Sequence, residues 1–123
     1  MNEEDGGRRR AIIGARAIAS QSVSRRTLEA ARTCQLAGAV DPMRVRVDLR
    51  LTADKANVQV NAIDDLMVES GAPLSPAQRD CVLTRLRTGL PFREAVGPYQ
   101  SSAPFTGTAY ARVSLAGAGS ARR

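Results

Sequence analysis

Histidine is absent from this chain of 123 residues, and so is tryptophan. Without histidine the commonest general base and the commonest metal ligand are both missing. Aromatic residues are scarce as well: two Phe, two Tyr and no Trp, so any core must be aliphatic, built from Leu, Val, Ile and Ala. Lysine is nearly missing, with Lys55 the only one, so the formal charge of +6 is carried by arginine. No run approaches the roughly 18 apolar residues that a membrane-spanning helix needs. Arginine together with abundant Ala and Gly is also what a GC-rich coding sequence gives, so basicity alone names no partner.

What is present is clearest at Met43–Leu51, Met-Arg-Val-Arg-Val-Asp-Leu-Arg-Leu, where apolar and charged residues alternate without a break. Side chains on a strand point to opposite faces in turn. The pattern therefore puts Met43, Val45, Val47, Leu49 and Leu51 on one face and Arg44, Arg46, Asp48 and Arg50 on the other. A second alternating run, Ala56–Ala62, follows the polar break Thr52-Ala53-Asp54-Lys55. The break is short enough for a hairpin but lacks the Asn-Gly or Asp-Gly of the commonest tight turns. The expectation is an antiparallel pair with one buried face and one arginine-studded face.

Elsewhere the signals are those of helix and loop. Residues 1–23 hold Glu3-Glu4-Asp5, Gly6-Gly7, Arg8-Arg9-Arg10 and an apolar patch that Arg16 interrupts. A signal peptide wants about 7 to 15 uninterrupted apolar residues, so this stretch is expected to be a flexible basic arm. Ser24 is placed to cap a helix running from Arg25 to about Ala37, with Gly38 ending it and Leu28, Ala31 and Cys34 forming its stripe. Ile63–Ser70 reads as an acidic connector. Ser75, Pro76 and Gln78 make a capping box with proline at the first helical position, and the helix they start should run to Thr88 and stop at Gly89. A loop rich in Gly, Pro and Ser leads to a last short alternating run at 109–115, and 117–123 reads as a disordered tail. The fold class expected is α+β: two helices packed on a small antiparallel sheet, in the order helix-strand-strand-helix-strand, as a single domain over 24–116.

Candidate chemistry is thin. Two cysteines are too few for a structural zinc site, which takes four ligands. Asp64 and Asp65 are sequence neighbours and read as a solvated pair, and Gly117-Ala118-Gly119-Ser120 has no helix after it to make a phosphate loop. No nucleophile, base and orienting group come together, so enzymatic turnover is not expected, nor is any cofactor. Cys34 and Cys81 each fall on the apolar side of a helix. They are either two buried thiols or a disulfide joining the helices, and the pattern leaves both open.

Leu28-x5-Cys34, the alternating hairpin, Leu74-Ser75-x5-Cys81-Val82-x3-Leu86 and Pro91-Phe92 together resemble a C-terminal domain of the AgmX/PglI type. Those domains are similar in turn to the TonB C-terminal domain. The resemblance covers about residues 25–93. It implies a Cys34–Cys81 bridge, a helix-strand-strand-helix-strand plan and a non-enzymatic protein-interaction module of the bacterial cell envelope. Periplasmic placement follows from that resemblance, and a cytoplasmic chain is the alternative. Such a module would take a partner's strand along an exposed sheet edge, either on the hairpin or on the last strand. The other functional class is a small basic nucleic-acid-binding protein using Arg44, Arg46 and Arg50 on the sheet with Arg79, Arg85 and Arg87 on the second helix. Against it, that sheet face is expected to carry no aromatic side chain for base stacking, and Asp48 interrupts its charge.

Overall fold

The alternating run becomes strand β1, Met43–Ala53, in the computed structural model, which describes residues 3–34 and 43–115. β2 (Asn57–Ser70) and β4 (Phe105–Leu115) flank β1, and the short β3 (Phe92–Ala95) extends the far side of β2. The sheet order is β3-β2-β1-β4, antiparallel throughout. β1 is thus an interior strand, and Val45, Val47 and Leu49 are wholly buried, with Leu51 at 1% exposure. Burial of this order contributes about 1.5–3 kcal/mol per side chain. Two helices, α1 (Glu3–Thr33) and α2 (Pro76–Thr88), cover that row, so the fold is α+β as expected.

α2 begins where its signals put it. The Ser75 hydroxyl accepts from the Gln78 N–H at 3.1 Å, and the Gln78 side chain accepts from the Ser75 N–H at 3.0 Å. Gly89 closes the helix, and Val82, Leu83 and Leu86 are its buried residues.

Three expectations need correction. The first is the arm: from Glu3 onward it is helical, and α1 runs unbroken to Thr33, so Ser24 lies inside the helix rather than at its start. Ala11, Ala15, Ala19 and Val23 recur at every fourth residue and are buried, which gives a helix face made mostly of alanine, the best helix former. That face is made of small side chains, so its apolar contrast is weak, and Arg16 projects outward between its members. Leu28 is exposed at 38%, while Val23, Thr27, Ala30 and Ala31 are buried in its place.

The second correction concerns 63–70, which is the second half of β2 and no connector. Register shifts along β1 leave Asn61, Asp64 and Glu69 without a partner opposite, the signature of bulges. Each bulge inserts one residue, so the buried positions step from Val60 to Ile63 to Leu66 by threes. The third is the loop after α2, which contains β3 and ends at Phe105, four residues before the expected strand. Gly38 and the 117–123 tail lie outside the described residues.

The two helices are joined by a disulfide between Cys34 and Cys81, with a Cα–Cα distance of 5.9 Å. That lies within the usual range for an unforced bridge.

Candidate functional site

Among the described residues, no helix covers the other face of the sheet. Arg44, Arg46, Asp48 and Arg50 project there from β1, as the alternation predicts, and are exposed or half-buried. Cross-strand register supplies their neighbours: Arg46 stands opposite Met67 and Arg112, and Asp48 opposite Asp65 and Tyr110. Carboxylates answer most of the guanidinium groups. Arg46 meets Asp48 at 2.8 Å, Arg50 meets Asp64 at 2.8 Å, and Arg112 on β4 reaches Glu69 on β2 at 3.1 Å. The hydrogen bond from Arg46 to Asp48 is the main reason that the Arg46 pKa is raised above its ordinary value. Two of those carboxylates, Asp64 and Glu69, are bulge residues, so the irregularities of β2 aim acidic side chains at basic ones. Among the described residues no ion pair involves Arg44.

Tyr110 also lies on this face, 45% exposed, with the Arg46 guanidinium 4.3 Å and the Arg112 guanidinium 5.2 Å from its ring centroid. The expectation that the face lacks an aromatic is therefore corrected. Its place depends on how β4 registers against β1, a pairing between segments some 60 residues apart that no local pattern encodes.

The α2 arginines do not join the β1 arginines in one patch. β3 pairs only with Asn57–Val60, so the outer side of β2 beyond that point has no strand partner among the described residues. α2 lies along that side. Arg87 donates to the Ile63 carbonyl at 2.9 and 3.1 Å, and Arg79 donates to the Leu66 carbonyl at 3.2 Å and pairs with Asp65. These two side chains satisfy edge carbonyls that would otherwise be open to another strand. Arg85 is exposed, and no ion pair involves it among the described residues.

The opposite edge is the outer side of β4, and α1 runs parallel to it. Arg16 Nε donates to the Thr108 carbonyl at 3.1 Å, and one turn later Ser20 Oγ donates to the Tyr110 carbonyl at 2.7 Å. The match is geometric: four helical residues rise about 6 Å and two strand residues about 6.8 Å. Continuing the series would set Ser24 beside Arg112, but no side chain caps Arg112 or Ser114 among the described residues. There the helix and strand border a cavity of about 490 Å³ lined by Ser20, Gln21, Ser24, Arg25, Tyr110, Ala111 and Arg112. A second cavity of about 750 Å³ lies next to it, where Arg16, Thr108 and Tyr110 meet Arg46, Asp48 and Asp64.

Among the described residues, no three carboxylate or cysteine side chains gather as a metal site, and no helix is long and apolar enough to cross a membrane. Comparison with models of protein families, with curated proteins and with solved structures found no match to this chain.

Proposed function

We propose that this chain is a non-enzymatic protein-interaction module that takes an extended partner segment along the outer edge of β4, in the manner of TonB C-terminal-like domains of the cell envelope. The observation that carries the reading is the interrupted ladder of side-chain caps. The Thr108 and Tyr110 carbonyls are closed by Arg16 and Ser20, whereas among the described residues no side chain caps Arg112 or Ser114, whose outward backbone groups continue the same edge, and Arg112 borders an open groove. Backbone hydrogen bonds to such an edge give affinity, and alternate side chains give specificity. The Cys34–Cys81 bridge favours an oxidising compartment, consistent with an envelope location.

Panning a random peptide library on the protein, with counter-selection on Ser114→Pro, tests this. Ser114 is exposed and its N–H points away from the β1 ladder, so proline there removes an edge donor and leaves the sheet's own bonds intact. Selected peptides should bind the unmodified protein, lose binding to Ser114→Pro, and slow amide exchange at Arg112 and Ser114. Peptides indifferent to the proline, with protection elsewhere, would sink the reading.

A second reading rests on Tyr110. With Arg44, Arg46 and Arg112 it offers one aromatic ring among cations on an open sheet face, the elements of single-strand nucleic-acid contact. Two guanidinium groups already lie against that ring, and Asp48, Asp64 and Glu69 offset the charge. A binding constant for generic single-stranded DNA or RNA that falls steeply with salt would favour this reading.

A further inference from the structure

We infer that the segment accepted at the open end of β4 is acidic, with carboxylates at alternate positions facing Arg112; the inference rests on the strand-edge reading above. Three observations carry it.

The first is the charge around the groove. Arg112 and Arg25 stand on its two walls with side chains 55% and 67% exposed, Arg112 paired on one side with Glu69 at 3.1 Å and open to solvent on the rest of its guanidinium. Arg25 shares its carboxylate, Glu94, with Arg26 at 3.4 and 3.8 Å, and Glu94 also accepts the Ser22 hydroxyl at 2.7 Å. One carboxylate between two guanidinium groups leaves a positive charge uncompensated beside the groove. The second is the alternation of β4 itself. Ala111 and Val113 face the helices and are buried, so the side chains that an added strand would meet on the open face are those of Arg112 and its neighbours Tyr110 and Ser114. Directly opposed residues on paired strands stand about 4.5–5.5 Å apart between Cβ atoms, close enough for a carboxylate to meet Arg112. The third argues against a second copy as occupant. Antiparallel self-pairing about the open end of β4 would bring two Arg112 side chains into one strand pair, and like charges there oppose association. On the helix side the added strand would meet Ser20, Gln21 and Ser24, which suit small polar side chains.

A labelled, end-blocked heptapeptide alternating Thr and Glu, and its Thr/Gln counterpart, test this by fluorescence anisotropy at low ionic strength. The Glu peptide should bind roughly tenfold more tightly, the sum of two or three exposed ion pairs. Added salt should erase that advantage, and Arg112→Gln should cut it to about threefold or less. A Glu peptide N-methylated at alternate residues, which cannot complete the edge bonds, should not bind. Equal binding by Glu and Gln peptides, lost on N-methylation, would overturn the acidic preference and leave strand addition standing. Undiminished binding of the N-methylated peptide would mean adhesion by charge alone, and both readings would fall. If neither plain peptide binds at millimolar concentration, the inference of an acidic partner fails, and the library experiment decides the edge separately.

Discussion

The carboxylate of Asp54 accepts the backbone N–H groups of Ala56 and Asn57, each at 2.7 Å, while the Asp54 N–H donates to the Asn57 carbonyl at 2.9 Å. One side chain therefore closes the β1–β2 turn that lacks the usual Asn-Gly or Asp-Gly pair. Those two bonds, from Asn57 first and then Ala56, hold the Asp54 pKa below its ordinary value. A carboxylate lowered on folding adds stability above its unfolded pKa and loses it as pH falls through the folded one. In Asp54→Asn the side-chain oxygen can still accept both bonds but carries no charge. We expect the variant to melt below the parent at neutral pH and the difference to shrink as pH drops below about 4. Thermal melts across that range check it, and a gap that widens with acid would mean the carboxylate is not what closes the turn. Legibility at this scale follows distance along the chain. The outward row of Arg44, Arg46 and Arg50 could be read from local alternation. Tyr110 beside them, and Arg79 and Arg87 on the β2 edge, depend on contacts between distant segments and could not.

Among the elements, β1 and α2 were legible because their signals are local: an unbroken period of two, and a cap with proline behind it. β2 was legible only to Ala62, since the bulges at Asn61, Asp64 and Glu69 turn its period from two to three. Its second half consequently imitated a polar connector. α1 was hidden for the opposite reason. Its buried face is regular, but alanine gives little contrast against Gly14 and Ala17. The smallness of α1 is what allows it to approach its neighbours, and Gly14 is the clearest case. A Cβ at Gly14 would stand 2.0 Å from the Ser101 carbonyl oxygen in the loop between β3 and β4. Helix propensity alone predicts that Gly14→Ala adds about 1 kcal/mol. The clash is with backbone and cannot be relieved by a side-chain rotation, and overpacking of this kind costs about 1–3 kcal/mol. We expect the clash to win, lowering Tm by a few degrees, with increased amide exchange over 96–104. A raised Tm would show that the helix and loop do not meet there.

For the whole molecule, the question is what holds α1 in register with β4, since that register decides which part of the edge stays open. Packing of Ala15, Ile18, Ala19 and Val23 supplies part of the answer. Glu94 supplies another, accepting from Ser22 and pairing with Arg25 and Arg26 while Arg26 stacks 3.9 Å over the Phe92 ring. The Cys34–Cys81 bridge then ties the C-terminal end of α1 to α2, across a separation of 47 residues that encloses the whole β1–β2 hairpin. Chain-entropy arguments put the stabilisation from closing such a loop at about 4 kcal/mol as an upper figure. For a chain of this size that corresponds to a fall in Tm on reduction of roughly 10–20 °C. Both helices contribute buried side chains to the core apart from the bridge, so the reduced protein should remain folded at room temperature with an unchanged far-ultraviolet spectrum. Cys34→Ala with Cys81→Ala should reproduce the reduced Tm, while Cys34→Ala alone should add a single thiol open to alkylation. If the bridge also sets the register of α1, reduction should loosen the Ser20 contact with Tyr110 and quicken exchange along β4 well below the melting transition. A reduced protein that melts with the oxidised one would show that the bridge adds nothing to stability. A lower Tm with β4 exchange unaltered would confine the disulfide to global stability and leave the packing of α1 to hold the edge alone.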